Sequence, residues 1–360
     1  MNKVVKILKA YLTNDEIIDD LNADDLIIFK EQSLLQYLYP VFKDKKYKAY
    51  YLSSFVIQQK FISIQSELTI LFNTNEIPHF YVKGSVLYKL FPDIALRSRG
   101  DIDVFVAKDK IPQVMKLLKN NGYILDESDC MHHLGYNKNN LSIEVHFSLF
   151  DDYADNPYLK VFNDPFSLAV VCDKYLYELK KEYHFVYCIC HFANHLKLGA
   201  GIRYILDFYY MLINWNLDYE LIHKLINELQ LNLLYENILN CIYTLTCKKL
   251  DDFPIKNIDF MLDYMVNSGI HGNGKNNDIQ NKIFTQKRNK VKYILARLFM
   301  TNKAYRLSKY PKLGLHFYTY PLCFIHHTFY LLTHKLIKFF KLIFKRKNKE
   351  DEQLYKRLGI

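Results

Sequence analysis

A chain of 360 residues, half of them hydrophobic, exceeds one ordinary domain and carries enough apolar surface for a substantial core. Eleven glycines and nine prolines exclude long flexible linkers and favour a helix-rich protein. The formal net charge of +10 admits nucleotides, nucleic acid or acidic lipid as partners without choosing among them, while seven scattered cysteines with no CxxC pair exclude a disulfide framework and a zinc knuckle.

In chain order, residues 1–50 alternate short apolar clusters with acidic and basic turns and predict a few small helices. The first twenty residues turn acidic at Asp15-Glu16 and Asp19-Asp20 and lack the apolar stretch and cleavage site of a signal peptide. No run of eighteen apolar residues occurs, so no spanning helix is expected, and reduced thiols point to the cytoplasm. Phe55, Ile57, Phe61, Ile64, Leu68 and Leu71 recur at helical spacing over 51–76, a helix ended by Pro78. A strand over 79–82, a short helix over 85–91 stopped by Pro92, a strand over 101–107 and a helix over 111–120 follow. Segments 123–125, 132–136 and 141–147 read as strands, the last two joined by the turn Asn137-Lys138-Asn139-Asn140. After Pro157 and Pro165, segments 184–198, 202–214, 218–230 and 232–248 carry helical periodicity, and 268–290 is polar and Gly/Asn-rich. The predicted architecture is α+β: a mixed sheet with helices, then a helical domain.

Chemistry concentrates at Asp101-Ile102-Asp103. In a strand both carboxylates project to one face while Ile102, Val104 and Val106 take the other. Like charges held that close repel, and a divalent cation with oxygen ligands, Mg²⁺ or Mn²⁺, relieves the cost. The pair therefore reads as a metal platform for phosphate chemistry. Leu141 to Phe147 alternates apolar and polar residues, which puts Glu144 on one face with Ser142 and His146.

A Gly84-Ser85 turn, the Asp101/Asp103 strand and a third carboxylate at Glu144 together resemble the nucleotidyltransferase superfamily with a polymerase-β-like core. More closely, Lys83-Gly84, Arg97 to Val106, His132-His133, Ile143 to His146, Gly201 to Tyr204 with Asp207, Tyr310-Pro311 and Tyr320-Pro321 resemble a group of bacterial uncharacterised nucleotidyltransferases. The resemblance implies catalysis and binding of two metal ions by Asp101, Asp103 and Glu144, with a nucleoside triphosphate such as ATP as donor. It further implies nucleotide contacts from Lys83, Gly84, Ser85, Arg97 and Arg99. The division expected is 1–50 as an N-terminal helical extension, 51–155 as the catalytic core, 156–300 as a helical domain and 301–360 as an aromatic and basic C-terminal segment.

Other residues carry two readings each. His133 and His146 either touch substrate or orient a carboxylate, or are half-buried strand histidines. His191 and His195, four apart on a helix, lack the Glu a zinc protease requires and suit a substrate-lining or structural role. Arg203 and Asp207 either form a helix-surface pair or pack against the catalytic cleft. Gly269 to Asn276 nearly spells a P-loop, but Asn276 stands where Ser or Thr is required and the strand and helix context is missing. Lysines alternate with aromatic and aliphatic residues over 335–349, a basic amphipathic helix that docks on an anionic membrane or on the protein itself. The leading function is metal-dependent nucleotidyl transfer to a hydroxyl of an unidentified acceptor (small molecule, sugar or protein), without a nucleic-acid template. The competing one is a catalytically silent scaffold at a membrane surface.

Overall fold

The computed structural model describes residues 2–17, 20–126, 132–150, 156–197, 199–269, 317–334 and 349–360, with residues 299, 306 and 310. Most of the P-loop-like segment, Cys130 and residues 335–348 of the basic stretch lie outside the described residues. The strands are β1 (His79–Tyr81), β2 (Asp101–Val106), β3 (Ile124–Leu125), β4 (His133–Lys138), β5 (Leu141–His146), β6 (Ala169–Asp173) and β7 (Leu176–Leu179). They form one mixed sheet in the order β3-β4-β5-β2-β1-β7-β6, with β2 parallel to β5 and antiparallel to β1. The helices are α1 (Lys3–Thr13), α2 (Ala23–Glu31), α3 (Leu38–Phe42), α4 (Lys48–Thr74), α5 (Gly84–Leu87), α6 (Ile111–Asn120), α7 (Leu159–Phe162), α8 (Lys181–Leu196), α9 (Arg203–Asn214), α10 (Tyr219–Glu228), α11 (Asn232–Thr246), α12 (Asp259–Ser268), α13 (Tyr320–His334) and α14 (Lys349–Leu358). The fold is α+β, as expected, and among the described residues no helix is long and apolar enough to cross a membrane.

The strand period of two divides the sheet into two faces. Ile102, Val104 and Val106 of β2 and Ile143 and Val145 of β5 pack on Phe61, Ile64, Leu68 and Phe72 of α4 and on Val114 and Leu118 of α6. Each such side chain contributes about 1.5–3 kcal/mol by leaving water. On the opposite face Phe80 and Phe105 stack at 4.7 Å and join a larger core built with α1, α8, α9, α11 and α12. Buried Gln32 ties this core together: its Nε2 donates to the carbonyls of Met265 and Val266, and its Oε1 accepts from the Ile202 N–H.

Apolar spacing predicts no strand between Pro157 and Phe185, whereas the structure adds β6 and β7 beyond β1. The outermost strand, β6, has Val170, Val171 and Cys172 exposed. With no buried face, it offers no alternation for a pattern to reveal. The β4–β5 hairpin turns at Asn139 and Asn140, both at positive φ (53° and 61°), a conformation Asn tolerates.

Candidate active site

Register across the sheet assembles the site. Asp103 of β2 pairs with Glu144 of β5, and β4 completes that row with Gly135. Two rows further, and so on the same face, Phe105, His146 and His133 are partners. Neighbouring strands lie about 4.8 Å apart, so side chains within a row touch. His146 Nε2 lies 2.9 Å from Asp103 Oδ1 and 3.2 Å from Glu144 Oε2, and His133 Nε2 lies 3.5 Å from Glu144 Oε1. The ligand atoms of Asp103, Glu144 and His146 fall within 4.8 Å of one another, as do those of His132, His133 and His146. These are groups that could hold a metal ion. Asp101 lines the same cavity two residues before Asp103 on β2, without joining either group.

A strained turn brings in the cation. Lys83, between β1 and the four-residue α5, sits at φ 52° and ψ −133°, which costs a non-glycine residue about 1–3 kcal/mol. Its N–H donates to His184 Nε2 of α8 at 3.1 Å, and its Nζ reaches Asp103 Oδ1 at 2.6 Å. Burial pushes His184 down to about 4, so this imidazole stays neutral and keeps its acceptor nitrogen. Gly84 packs closely, since a Cβ there would meet Arg99 Cγ at 3.3 Å and that side chain would have to give way by a few tenths of an ångström.

Electrostatics separate the carboxylates. Burial acts to raise Asp103, but the Lys83 ammonium and the His146 hydrogen bond outweigh it and hold it below the ordinary range. Glu144 is held well below that range because His146, Lys83 and His133 likewise overcome burial. At Asp101 the attraction of Lys83 and Arg203 is outweighed. Burial first, then repulsion from Asp103 and Glu144, pushes this carboxyl up to about 7. Three carboxylates thus converge where the resident positive charge neutralises two of them.

Asp101, Asp103 and Glu144 open onto a cavity of about 300 Å³ between the sheet and the helices α8 and α9. Lys83, Gly84, Arg97, Arg99, His132, His133, His191, His195 and Arg203 also line it, as does Tyr204. His191 and His195 pack ring to ring at 4.3 Å, and burial, with Lys83 nearby, drives His191 well below its usual value.

The structure gives several expected contact residues other partners. Ser85 is fully buried and does not line the cavity; its hydroxyl instead accepts the Asp103 N–H at 3.0 Å and so fixes β2. Arg97 donates from Nε (2.5 Å) and Nη2 (2.8 Å) to the two oxygens of Asp207, and Nη1 reaches the Ser98 carbonyl. Asp207 is therefore committed to Arg97 rather than to a helix-surface pair with Arg203. Arg99 is held by Gln58 and Gln65 at 2.8 and 2.9 Å and lies over the Tyr88 ring. Arg203 Nη1 donates to the Ser98 carbonyl at 3.0 Å, while its buried Nε has no hydrogen-bond partner among the described residues. Sequence reasoning missed His184, Gln58 and Gln65. The first looks like any apolar-flanked helix residue, and the two glutamines occur i, i+7 on one face of α4, the only signal available.

No curated protein and no solved structure matches the chain. The profile of a family described as "Uncharacterised nucleotidyltransferase" matches residues 45–246. That span is more than half of the chain and contains every carboxylate, arginine and histidine of the cavity, so the general activity is nucleotidyl transfer and a nucleotide is implied as substrate. The chain belongs to this nucleotidyltransferase family.

Proposed function

We propose that this protein transfers a nucleoside monophosphate from a nucleoside triphosphate to a hydroxyl of a small molecule, sugar or protein, with Asp101, Asp103 and Glu144 holding Mg²⁺ or Mn²⁺ and no template taking part. The observation that carries this reading is the convergence of three carboxylates on an open cavity ringed by basic side chains. The elevation of Asp101 to about 7 supports it, because the site asks for more positive charge than Lys83 and Arg203 supply. A divalent cation held there supplies Lewis-acid charge to the phosphoryl group and lowers the pKa of the acceptor hydroxyl.

The chain's own residues bind and position. Lys83, now on Asp103, and Arg203 supply positive charge for triphosphate oxygens. Arg97 and Arg99, bound by Asp207 and by Gln58 and Gln65, fix the loop that delivers Asp101. His191, His195 and Tyr204 form the opposite wall, suited to the acceptor.

One observation favours the silent-scaffold reading: the Lys83–Asp103 pair neutralises a carboxylate without any ion. Incubation with labelled triphosphates, Mg²⁺ and cell extract separates the two. Pyrophosphate release should occur with the wild-type protein and disappear in the Asp101→Asn/Asp103→Asn double variant. Release that persists unchanged in the double variant would eliminate the enzyme reading. Mass spectrometry of co-purified proteins for added nucleotide tests a protein acceptor.

Proton and cation compete at Asp101. Apparent Mg²⁺ affinity should therefore rise about tenfold per pH unit below about pH 7, with release of one proton, and level off above it. Titration calorimetry in buffers of different ionisation enthalpy measures both quantities. The metal-free fold has the converse dependence. A carboxyl raised in the folded state stabilises fully below its ordinary value near 3.8, and that contribution fades as pH rises toward about 7. Asp101→Asn should accordingly stabilise the metal-free protein above about pH 7, read from urea midpoints; an unchanged or lower midpoint would contradict the assignment.

A further inference from the structure

We propose that His132, His133 and His146, together with Glu144, form a nitrogen-rich site for a dication of the Zn²⁺ class, distinct in chemistry from an all-oxygen Mg²⁺ platform. The proposal shares Glu144 with the reading above but does not depend on turnover. The three imidazoles form a closed triangle, with ring centroids 4.9 Å (His132–His133), 5.0 Å (His133–His146) and 5.6 Å (His132–His146) apart. One nitrogen of each falls within 4.8 Å of the others. Donors around a tetrahedral Zn²⁺ stand about 3.4 Å apart, so modest ring rotation closes the set. His133 and His146 are directly opposed across the β4–β5 hairpin, which fixes two of the three on rigid backbone. Glu144 Oε1, 3.5 Å from His133 Nε2, supplies a fourth donor.

His146 shows how such a ligand is oriented. Its Nε2 faces Asp103 Oδ1 at 2.9 Å, and a carboxylate only accepts, so the proton belongs on Nε2 and the lone pair on Nδ1. Nδ1 is buried and has no hydrogen-bond partner among the described residues. A ring anchored by one N–H on a carboxylate, with the other nitrogen free to donate, is the arrangement that presents imidazole to a metal. Imidazole donors favour Zn²⁺ over Mg²⁺, which prefers oxygen and water. His132, His133 and Glu144 line the cavity, so an ion has a path in.

The test is metal binding by the full-length chain, with no activity readout. Zn²⁺ should bind at one equivalent in competition against a chromophoric chelator, and His132→Ala/His133→Ala should weaken it by more than about 100-fold. Asp101→Asn, which keeps every proposed ligand, should leave Zn²⁺ affinity intact while weakening Mg²⁺. Cobalt(II) titrated into the wild-type protein should give the intense visible bands of a four-coordinate ion, a readout independent of any variant's folding. Absence of Zn²⁺ binding, equal Zn²⁺ affinity in the double variant, or only the weak cobalt bands of an octahedral oxygen site would each overturn the proposal. Zn²⁺ binding by a wild-type protein that releases no pyrophosphate from any triphosphate would sink the catalytic reading and leave this one standing.

Discussion

Asp103→Asn should lower nucleotidyl transfer by at least about 10³-fold, or about 4 kcal/mol of transition-state stabilisation. Asp103 is the central carboxylate of the three: it is 1% exposed, receives Lys83 Nζ and His146 Nε2 on a single oxygen, and stands in register with Glu144. The amide preserves shape and one acceptor but removes the charge on which cation binding depends. It also leaves the Lys83 ammonium without its partner, so some stability is lost as well. Adding Lys83→Met separates the two effects, since the double variant removes both charges from the interior. Its urea midpoint should recover toward wild type while single-turnover release of labelled pyrophosphate stays lost. Wild-type rates in Asp103→Asn with Mg²⁺ present would show that the carboxylate serves only the ion pair.

The parts of this site legible in the sequence are those governed by short-range rules. Asp101 and Asp103 fall on one face because a strand alternates, and the same rule groups Glu144 with His146. The Lys83-Gly84-Ser85 turn between an apolar segment and a helix was visible for similar reasons. The hidden parts depend on contacts between distant positions. Asp207 reads as an i, i+4 partner of Arg203, yet folding offers it Arg97, 110 residues earlier, in bidentate geometry. Two hydrogen bonds from a planar guanidinium outcompete a helix-surface pair. Likewise Ser85 looks poised for a phosphate, but the backbone N–H of Asp103 needs a buried acceptor and takes the hydroxyl. His184 gave no sign of its role because the N–H it receives belongs to a turn 101 residues away.

Asp207→Ala should cost about 3–5 kcal/mol of folding stability, the largest loss expected from a single side chain outside the apolar core. Arg97 and Asp207 are each 4% exposed, so the alanine leaves a buried guanidinium with the Ser98 carbonyl as its hydrogen-bond acceptor among the described residues. Burial opposes the charged form of Arg97, and the neighbouring Asp207 is what overcomes it. The converse change discriminates structure from function. Arg97→Met/Asp207→Leu removes both charges and fills similar volume, so stability should return to near wild type or exceed it by about 1–4 kcal/mol. Transfer activity should not return with it. The Ser98 carbonyl, which takes hydrogen bonds from both Arg97 and Arg203, would lose one of its two anchors three residues before Asp101. Denaturant midpoints and single-turnover rates on the same preparations measure the split, and a double variant that is both stable and fully active would reduce the Arg97–Asp207 pair to a replaceable piece of the core.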